Sequence, residues 1–415
     1  MSDFLELVTI DQAWKIIHAH VDKTVCAEVQ IPVEESMGRI CARQQLVQED
    51  YPPFTRSSVD GYAVLANDTH GASHQQPILL KISSEIRMGK ASHPLPGSGW
   101  TALIHTGGML PENADAVIMI EETEHISVDE ILIYKSVSVG ENVIYQGEDV
   151  HLGDILLEKG KRITEMDAGA LSTSGVSEVS VYSPVRVGIL SMGDELIDPQ
   201  AIPLTGQIRD INSIMLAGLS RKFGVEVAAM KRVMDQPEEL LEALQSLKNT
   251  CDLVFITAGS SVSTRDYTAQ VIQEFGKPGV LFHGIHIRPG KPTIFARCED
   301  QVILGLPGNP VSAYVIAWLL GMPILKRLAG ESPVKYPHPV EAILDTNISS
   351  QSGRADYIPV RLQDREGVCT ATPIFFKSNL IFSLARSDGL MYIPEAAAGF
   401  SAGTRVKVFI HSQSY

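Results

Sequence analysis

The chain has 415 residues, more than one hydrophobic core usually organises, so roughly two to four domains are expected. Apolar residues make up 44% and charged residues 20%, a balance that excludes disorder, coiled coil and collagen-like repeats as the main theme. Acidic residues outnumber basic ones by 49 to 34, a net charge of −15. That argues against nucleic-acid or anionic-membrane partners, which need a basic face, but leaves room for a small anion held by a metal ion or a local cationic pocket.

In chain order, Thr9-Ile10-Asp11-Gln12 has the form of a capping box, and Ala13, Ile16, Ile17 and Val21 continue one apolar stripe. A helix is predicted there. From about residue 47 to 145 the pattern is short strands and turns. Pro52-Pro53, Gly107-Gly108 and Pro111 punctuate apolar pieces such as Ile78-Leu79-Leu80 and Ala116-Val117-Ile118-Met119-Ile120. A short apolar run over 153–157 and a predicted helix over 166–174 are expected to pack back on the N-terminal helix. Residues 47–145 then form an inserted β-rich domain, and residues 1–46 and 146–183 form one discontinuous domain.

Residues 184–327 read differently. Strand-like runs at 185–190, 225–229 and 253–257 alternate with helical stretches at 213–223, 238–248 and 267–275, with Gly224 and Gly276 at C-cap positions. Such alternation implies a three-layer α/β domain with a parallel sheet covered on both faces. A further helix is predicted from Pro310, with Asn309 as N-cap. The longest apolar run, 313–325, contains Gly321 and Pro323 and falls short of the ~20 residues of a membrane span, so it reads as a buried helix. After a linker bearing Pro333, Pro337 and Pro339, residues 336–415 read as all-β, with strands at 358–362, 368–372 and 406–410.

The first residues, Met1-Ser2-Asp3-Phe4-Leu5-Glu6, carry acids where a signal peptide would carry lysine or arginine. The cysteines, Cys26, Cys41, Cys251, Cys298 and Cys369, are odd in number, scattered and without C-x-x-C. Zinc-site and disulfide-framework readings both fail on that spacing, and a reducing cytoplasm is expected.

In an open parallel sheet, ligands bind outside the carboxyl ends of the strands. The first such loop, Ser191-Met192-Gly193-Asp194-Glu195-Leu196, carries two carboxylates at once. Downstream, Asp210 or Asn212 is expected to cap the next helix, whereas Glu195 has no capping duty and points to function. The loop Gly259-Ser260-Ser261-Val262-Ser263-Thr264-Arg265-Asp266 offers small residues before a helix. It can admit a phosphate, or it is an ordinary solvated turn with Asp266 as the cap. Leu304-Gly305-Leu306-Pro307-Gly308-Asn309-Pro310 also opens a helix. Just upstream, Arg288-Pro289-Gly290-Lys291-Pro292 places two cations on a stiffened turn. Together these loops describe an anion pocket with carboxylates beside it, the layout of phosphoester chemistry with a divalent metal. In the inserted domain, the segments around Asp60 and around Thr106 read from spacing alone as structural β-turns.

These segments carry a family likeness. Pro53-Phe54, Ser57 and Asp60-Gly61-Tyr62-Ala63 resemble the P-F-x-x-S-x-x-D-G-Y-A signature of the molybdopterin molybdenumtransferases, which include the MoeA proteins and the gephyrin E domain. Further motifs follow in the family's order. They are Thr106-Gly107 with Pro111 and Ala114-Asp115-Ala116-Val117, then Gly193-Asp194-Glu195-Leu196, then Pro289-Gly290-Lys291-Pro292. Leu306-Pro307-Gly308-Asn309-Pro310-Val311-Ser312-Ala313 and Gly353-Arg354 with Asp356-Tyr357 complete the series. The likeness spans essentially the whole chain.

The resemblance implies a dimerisation region, an inserted β-rich domain, an α/β molybdopterin-binding domain and a C-terminal β-barrel. It also implies a homodimer, possible contact with the molybdopterin adenylyltransferase, and a magnesium-dependent reaction. In that reaction adenylylated molybdopterin and molybdate give AMP and molybdenum on the dithiolene. By the same resemblance Asp60, Glu195, Asp235 and Asp266 take the catalytic acidic positions, with Glu195 and Asp266 at the metal. Thr106, Gly259, Ser260, Ser261, Arg288, Lys291, Pro307, Gly308, Asn309, Pro310 and Ser312 take substrate-binding positions. Two departures concern anion binding. Gly259-Ser260-Ser261-Val262-Ser263-Thr264 stands where many members have G-G-V-S-V-G, and Gly284 stands where some carry a lysine. Arg288 also puts a planar fork where a lysine would be a point charge. A gephyrin-like scaffold, an adenylyltransferase and a tungstate-using variant are the alternatives. Retention of Asp60, Glu195, Asp266 and Lys291 speaks against the first of these. The inserted and C-terminal domains speak against the second.

Overall fold

The computed structural model describes residues 7–21, 26–258, 262–333, 338–375 and 377–411, with the side chains of 262–266 outside the description. The helix Ile10–His20 begins on the predicted capping box, with Thr9 and Gln12 exchanging side-chain and backbone hydrogen bonds. Its apolar stripe, Ala13, Ile17 and Val21, is fully buried. It packs not on the later helix Glu165–Thr173 but in the α/β core beside Val187, Phe255 and Leu325. Burying Ile17 and Val21 contributes about 1.5–3 kcal/mol each, and the α/β core offers the larger apolar face. Helix Glu165–Thr173 instead joins a small core of Val33, Cys41, Leu157, Ile163, Val179 and Val181.

Antiparallel pairing ties the two halves of that small unit together. Strand Glu28–Pro32 pairs with Glu178–Tyr182, and Gln45–Leu46 pairs with Ile155–Leu157. Between them lies a six-stranded sheet of its own, spanning Gly61–Val64 to Glu130–Ile133 in sequence, over a core that includes Tyr62, Ile118 and Ile131. None of its strands packs extensively on the α/β sheet.

The α/β sheet has the order Glu226–Val233, Arg186–Met192, Leu253–Ala258, Gln301–Pro307, Ile294–Cys298, Pro278–His283. The first four strands are parallel, and the last two run antiparallel as a hairpin edge. The sheet is therefore mixed rather than wholly parallel. The helix before the hairpin starts at Val262, five residues earlier than its periodicity suggested. Asp266 thus lies inside the helix and is not its cap.

The chain from Pro310 to Leu328 is one continuous helical run with a π-helical turn at Ala317–Gly321, just before Pro323. A π-turn at that place absorbs the missing proline N–H. By length and composition the run could cross a membrane, yet 78% of its most apolar window is buried in the protein, as a core helix would be. In the C-terminal region Ala355–Arg365, Val368–Pro373, Val340–Leu344, Arg405–Ile410 and Gly389–Ile393 close into a five-stranded barrel, since the first also pairs with the last. Tyr314–His411 and Trp318–Phe409 ring contacts, with centroids 5.4 and 5.9 Å apart, dock the barrel on the long helix.

Candidate active site

The turn Arg288-Pro289-Gly290-Lys291 is shaped by packing. Gly290 has φ of 121°, and a Cβ there would stand 2.5 Å from Ile316 Cδ1 on the long helix. Glycine lets the turn press against that helix and hold its cations over the strand ends. Arg288 and Lys291 line a cavity of about 690 Å³ together with Pro307, Gly308, Asn309 and Ser312. The barrel closes its other side with Arg354, Lys377 and Ser378. Four cationic side chains thus face one cavity, and among the described residues no carboxylate lines it. Lys291 has no ion-pair partner among the described residues. Such a lining suits a multiply charged anion.

A second cavity, about 530 Å³, lies across the same loop and shares Gly308 and Asn309 with the first. Its lining includes Glu195, Thr257, Pro310 and Asn212, and Asp210 and the cation Arg209 stand in its wall. Asp210 Oδ1 accepts from the Ser213 N–H at 3.1 Å, so Asp210 takes the capping duty. Asn212 is left to donate Nδ2–H to the Gly308 carbonyl at 2.8 Å, which fixes the partition between the cavities. Asp194 likewise has a structural task, accepting from the Asp235 N–H at 3.0 Å. Glu195 is exposed and has no such bond.

Asp235, at the end of the edge strand, joins this acidic group. Burial raises its carboxyl above the usual range, the Asp194 and Glu195 charges add to the shift, and the Tyr267 hydroxyl opposes it. Asp235 Oδ1 is shut off from solvent and accepts no hydrogen bond of good geometry among the described residues. Among the described residues no three His, Cys, Asp or Glu side chains form a ready metal cluster. The exposed Glu195 carboxylate, with no hydrogen bond among the described residues, nevertheless fits magnesium, which takes one or two carboxylates and completes its shell with water and phosphate oxygens.

Asp60 and Thr106, widely separated in sequence, meet in the inserted sheet. Asp60 Oδ1 accepts from the Thr106 N–H at 2.7 Å and from its hydroxyl at 3.1 Å. These two bonds, and more weakly His105 at 3.8 Å, hold the exposed Asp60 carboxyl below its ordinary range. The neighbouring Gly61 is dictated by strand contact, since a Cβ there would fall 1.8 Å from the Ile118 carbonyl oxygen. Ser57, by contrast, is internal, with its hydroxyl donating to the Val59 carbonyl at 2.6 Å.

The structure thus brings Arg288, Lys291, Pro307, Gly308, Asn309 and Ser312 to one cavity, and Glu195 and Pro310 to its neighbour. Asp235 stands beside Glu195, and Asp60 with Thr106 stands on a separate sheet. Gly259, Ser260, Ser261 and the Asp266 side chain lie outside the described residues. Sequence reasoning missed Arg354, Lys377, Ser378 and the Asn212 bond. Arg354 stood in a recognised motif, but nothing local marked Lys377 or Ser378 as facing a cavity built by another domain.

Comparison with known proteins bears on the whole chain. Residues 8–175 match the "MoeA N-terminal region (domain I and II)", residues 188–327 a "Probable molybdopterin binding domain", and residues 341–410 the "MoeA C-terminal region (domain IV)". The molybdopterin molybdenumtransferase of Haemophilus influenzae is 31% identical over 97% of this chain and 98% of its own. That of Staphylococcus aureus is 30% identical over 92% and 91%. Among solved structures, a molybdopterin biosynthesis moeA protein of Pyrococcus horikoshii superposes with a TM-score of 0.84 at 31% identity, covering 98% of this chain and all of the other.

Proposed function

We propose that this chain, which belongs to the MoeA family of molybdenum cofactor biosynthesis enzymes, releases AMP from adenylylated molybdopterin and leaves molybdenum from molybdate on the dithiolene. One observation carries the reading: a cavity lined by four cations and, among the described residues, by no carboxylate abuts a cavity bearing Glu195 and Asp210 across the Gly308-Asn309 loop. A substrate joined by a pyrophosphate can span that partition, its anionic oxygens and the oxyanion on the cationic side. Arg288, Lys291 and Arg354 would bind and orient those oxygens through charge-assisted hydrogen bonds. The Gly308 carbonyl, tied down by Asn212, keeps the wall between the two compartments rigid.

Across the partition Glu195 would hold magnesium, with Asp266 as the second ligand that the family resemblance implies and Asp235 near Glu195. The ion, when bound, screens phosphate charge and stabilises the leaving oxygen. Asp235, whose half-buried carboxyl keeps its proton to higher pH than an ordinary aspartate, can hold a proton near the bond that breaks. Asp60 and Thr106 complete the site from the inserted domain of a second copy. Support for this is that the pair is exposed and preorganised, while its sheet does not pack extensively on the α/β sheet of the same chain.

The test incubates the protein with adenylylated molybdopterin, magnesium and molybdate. Molybdate-dependent AMP release supports the reading. AMP release that ignores molybdate, or none at all, would sink it, and tungstate in place of molybdate measures oxyanion preference.

A further inference from the structure

We infer that Asp356 is a positioning residue for the anion cavity, setting two arginines from different domains at the angle that receives an oxyanion. This rests on the proposed oxyanion role of that cavity and adds a residue to it. Asp356 is only 1% exposed, so its carboxylate does not itself meet the ligand. Its Oδ1 lies 3.2 Å from Arg354 Nε, and its Oδ2 lies 3.7 Å from Arg288 Nη1. Ser350 donates its hydroxyl to Oδ2 at 2.8 Å, which fixes the carboxylate plane. The backbone repeats the link, because Ile287–Arg288 pairs in parallel with Ala355 and Asp356 at the edge of the barrel.

A guanidinium has five donors in a fixed fork. Arg354 donates Nε–H to Asp356 and Arg288 is held to it as a looser ion pair, so the remaining donors of both are free to face the cavity that both residues line. The same carboxylate separates two like charges that would otherwise repel across a short gap. It therefore controls both the spacing and the orientation of the cationic wall.

Two physical readings give opposite signs. If only net charge mattered, removing a negative group behind an anion site would tighten anion binding. If orientation matters, the same change loosens it, because the freed guanidinium groups no longer converge. Isothermal titration of the full chain with molybdate, and with sulfate as control, decides the sign. Asp356→Asn is expected to weaken molybdate binding about tenfold or more. Ser350→Ala keeps every charge, so a charge-only account predicts no change, whereas positioning predicts a smaller loss in the same direction. Melting curves of both variants report the fold, and Ser350→Ala decides alone if Asp356→Asn does not fold. Unchanged or tighter binding in a folded variant overturns the positioning role. Failure of the unaltered protein to bind either oxyanion overturns instead the oxyanion reading on which it rests.

Discussion

His411 offers a sharp test of how the barrel is held against the α/β domain. Its ring packs edge-on against Tyr314, its Nε2 lies 3.0 Å from the Ser387 hydroxyl, and Lys222 Nζ donates to its backbone carbonyl at 3.2 Å. Burial, with help from the Lys222 charge and against the pull of Asp388, lowers its pKa to about 4 from an ordinary 6.5. The folded state therefore binds fewer protons than the unfolded one between these values, and stability must rise with pH across the window. The contribution is fully present above about pH 6.5 and is lost as pH falls through the window, amounting to about 3 kcal/mol at most. Replacing His411 by Gln keeps a hydrogen-bonding group but removes the titration. Denaturant unfolding followed by Trp318 fluorescence, with Trp14 and Trp100 replaced by Phe, reads the docking contact directly. The unaltered chain should lose stability relative to H411Q between neutral and mildly acidic pH. Parallel pH profiles for the two proteins would refute the claim that the buried neutral imidazole supports docking.

The remaining expectations concern chemistry. Lys291→Ala should raise the molybdate concentration for half-maximal AMP release by roughly 10-fold or more, the worth of one charge-assisted hydrogen bond; an unchanged dependence returns Lys291 to a solvating role. Glu195→Gln should cut turnover strongly with little shift in the unfolding midpoint, because an exposed loop carboxylate supports no core; full activity would remove it from the site. Asp60→Ala and Glu195→Ala chains, each inactive alone, should regain activity as a purified heterodimer if the inserted domain of one subunit serves the α/β domain of the other. Inactive heterodimers would place both residues within one chain's site.

Local pattern was legible in the sequence; tertiary partnership was not. The capping box at Thr9 and the stripe Ala13, Ile17, Val21 announced a helix, but amphipathicity says only that a helix has a buried face, not which core receives it. The hairpin Pro278–His283 with Ile294–Cys298 escaped notice because Pro278, Gly279 and the intervening cationic turn broke any period-two pattern. The start of Val262–Phe275 was missed because Ser263 and Thr264 have weak helix propensity and read as loop. For the candidate site, the residues on strand-end loops that line the two cavities were legible because topology places ligands there. Lys377 and Ser378 were not, since their role exists only once the barrel docks on the long helix.

An acidic protein that handles an anion has to keep its charges apart. Here the separation is covalent and short: a few residues ending Gln301–Pro307 and opening the long helix have the cationic cavity on one side and Glu195 on the other. Val311 N–H donates to the Ser378 carbonyl at 3.1 Å, and Asn212 holds Gly308, so the loop is anchored to the barrel and to the α/β domain at once. Coulomb attraction between the two sides would be largely wasted if they met as ion pairs, because a fully paired cation offers a ligand less charge and fewer donors. Holding them apart on a partition keeps Lys291 without an ion-pair partner among the described residues and leaves Arg288 and Arg354, which share Asp356, with donors facing the cavity. A substrate that carries phosphate oxygens, together with a divalent cation, can then satisfy both sides at once.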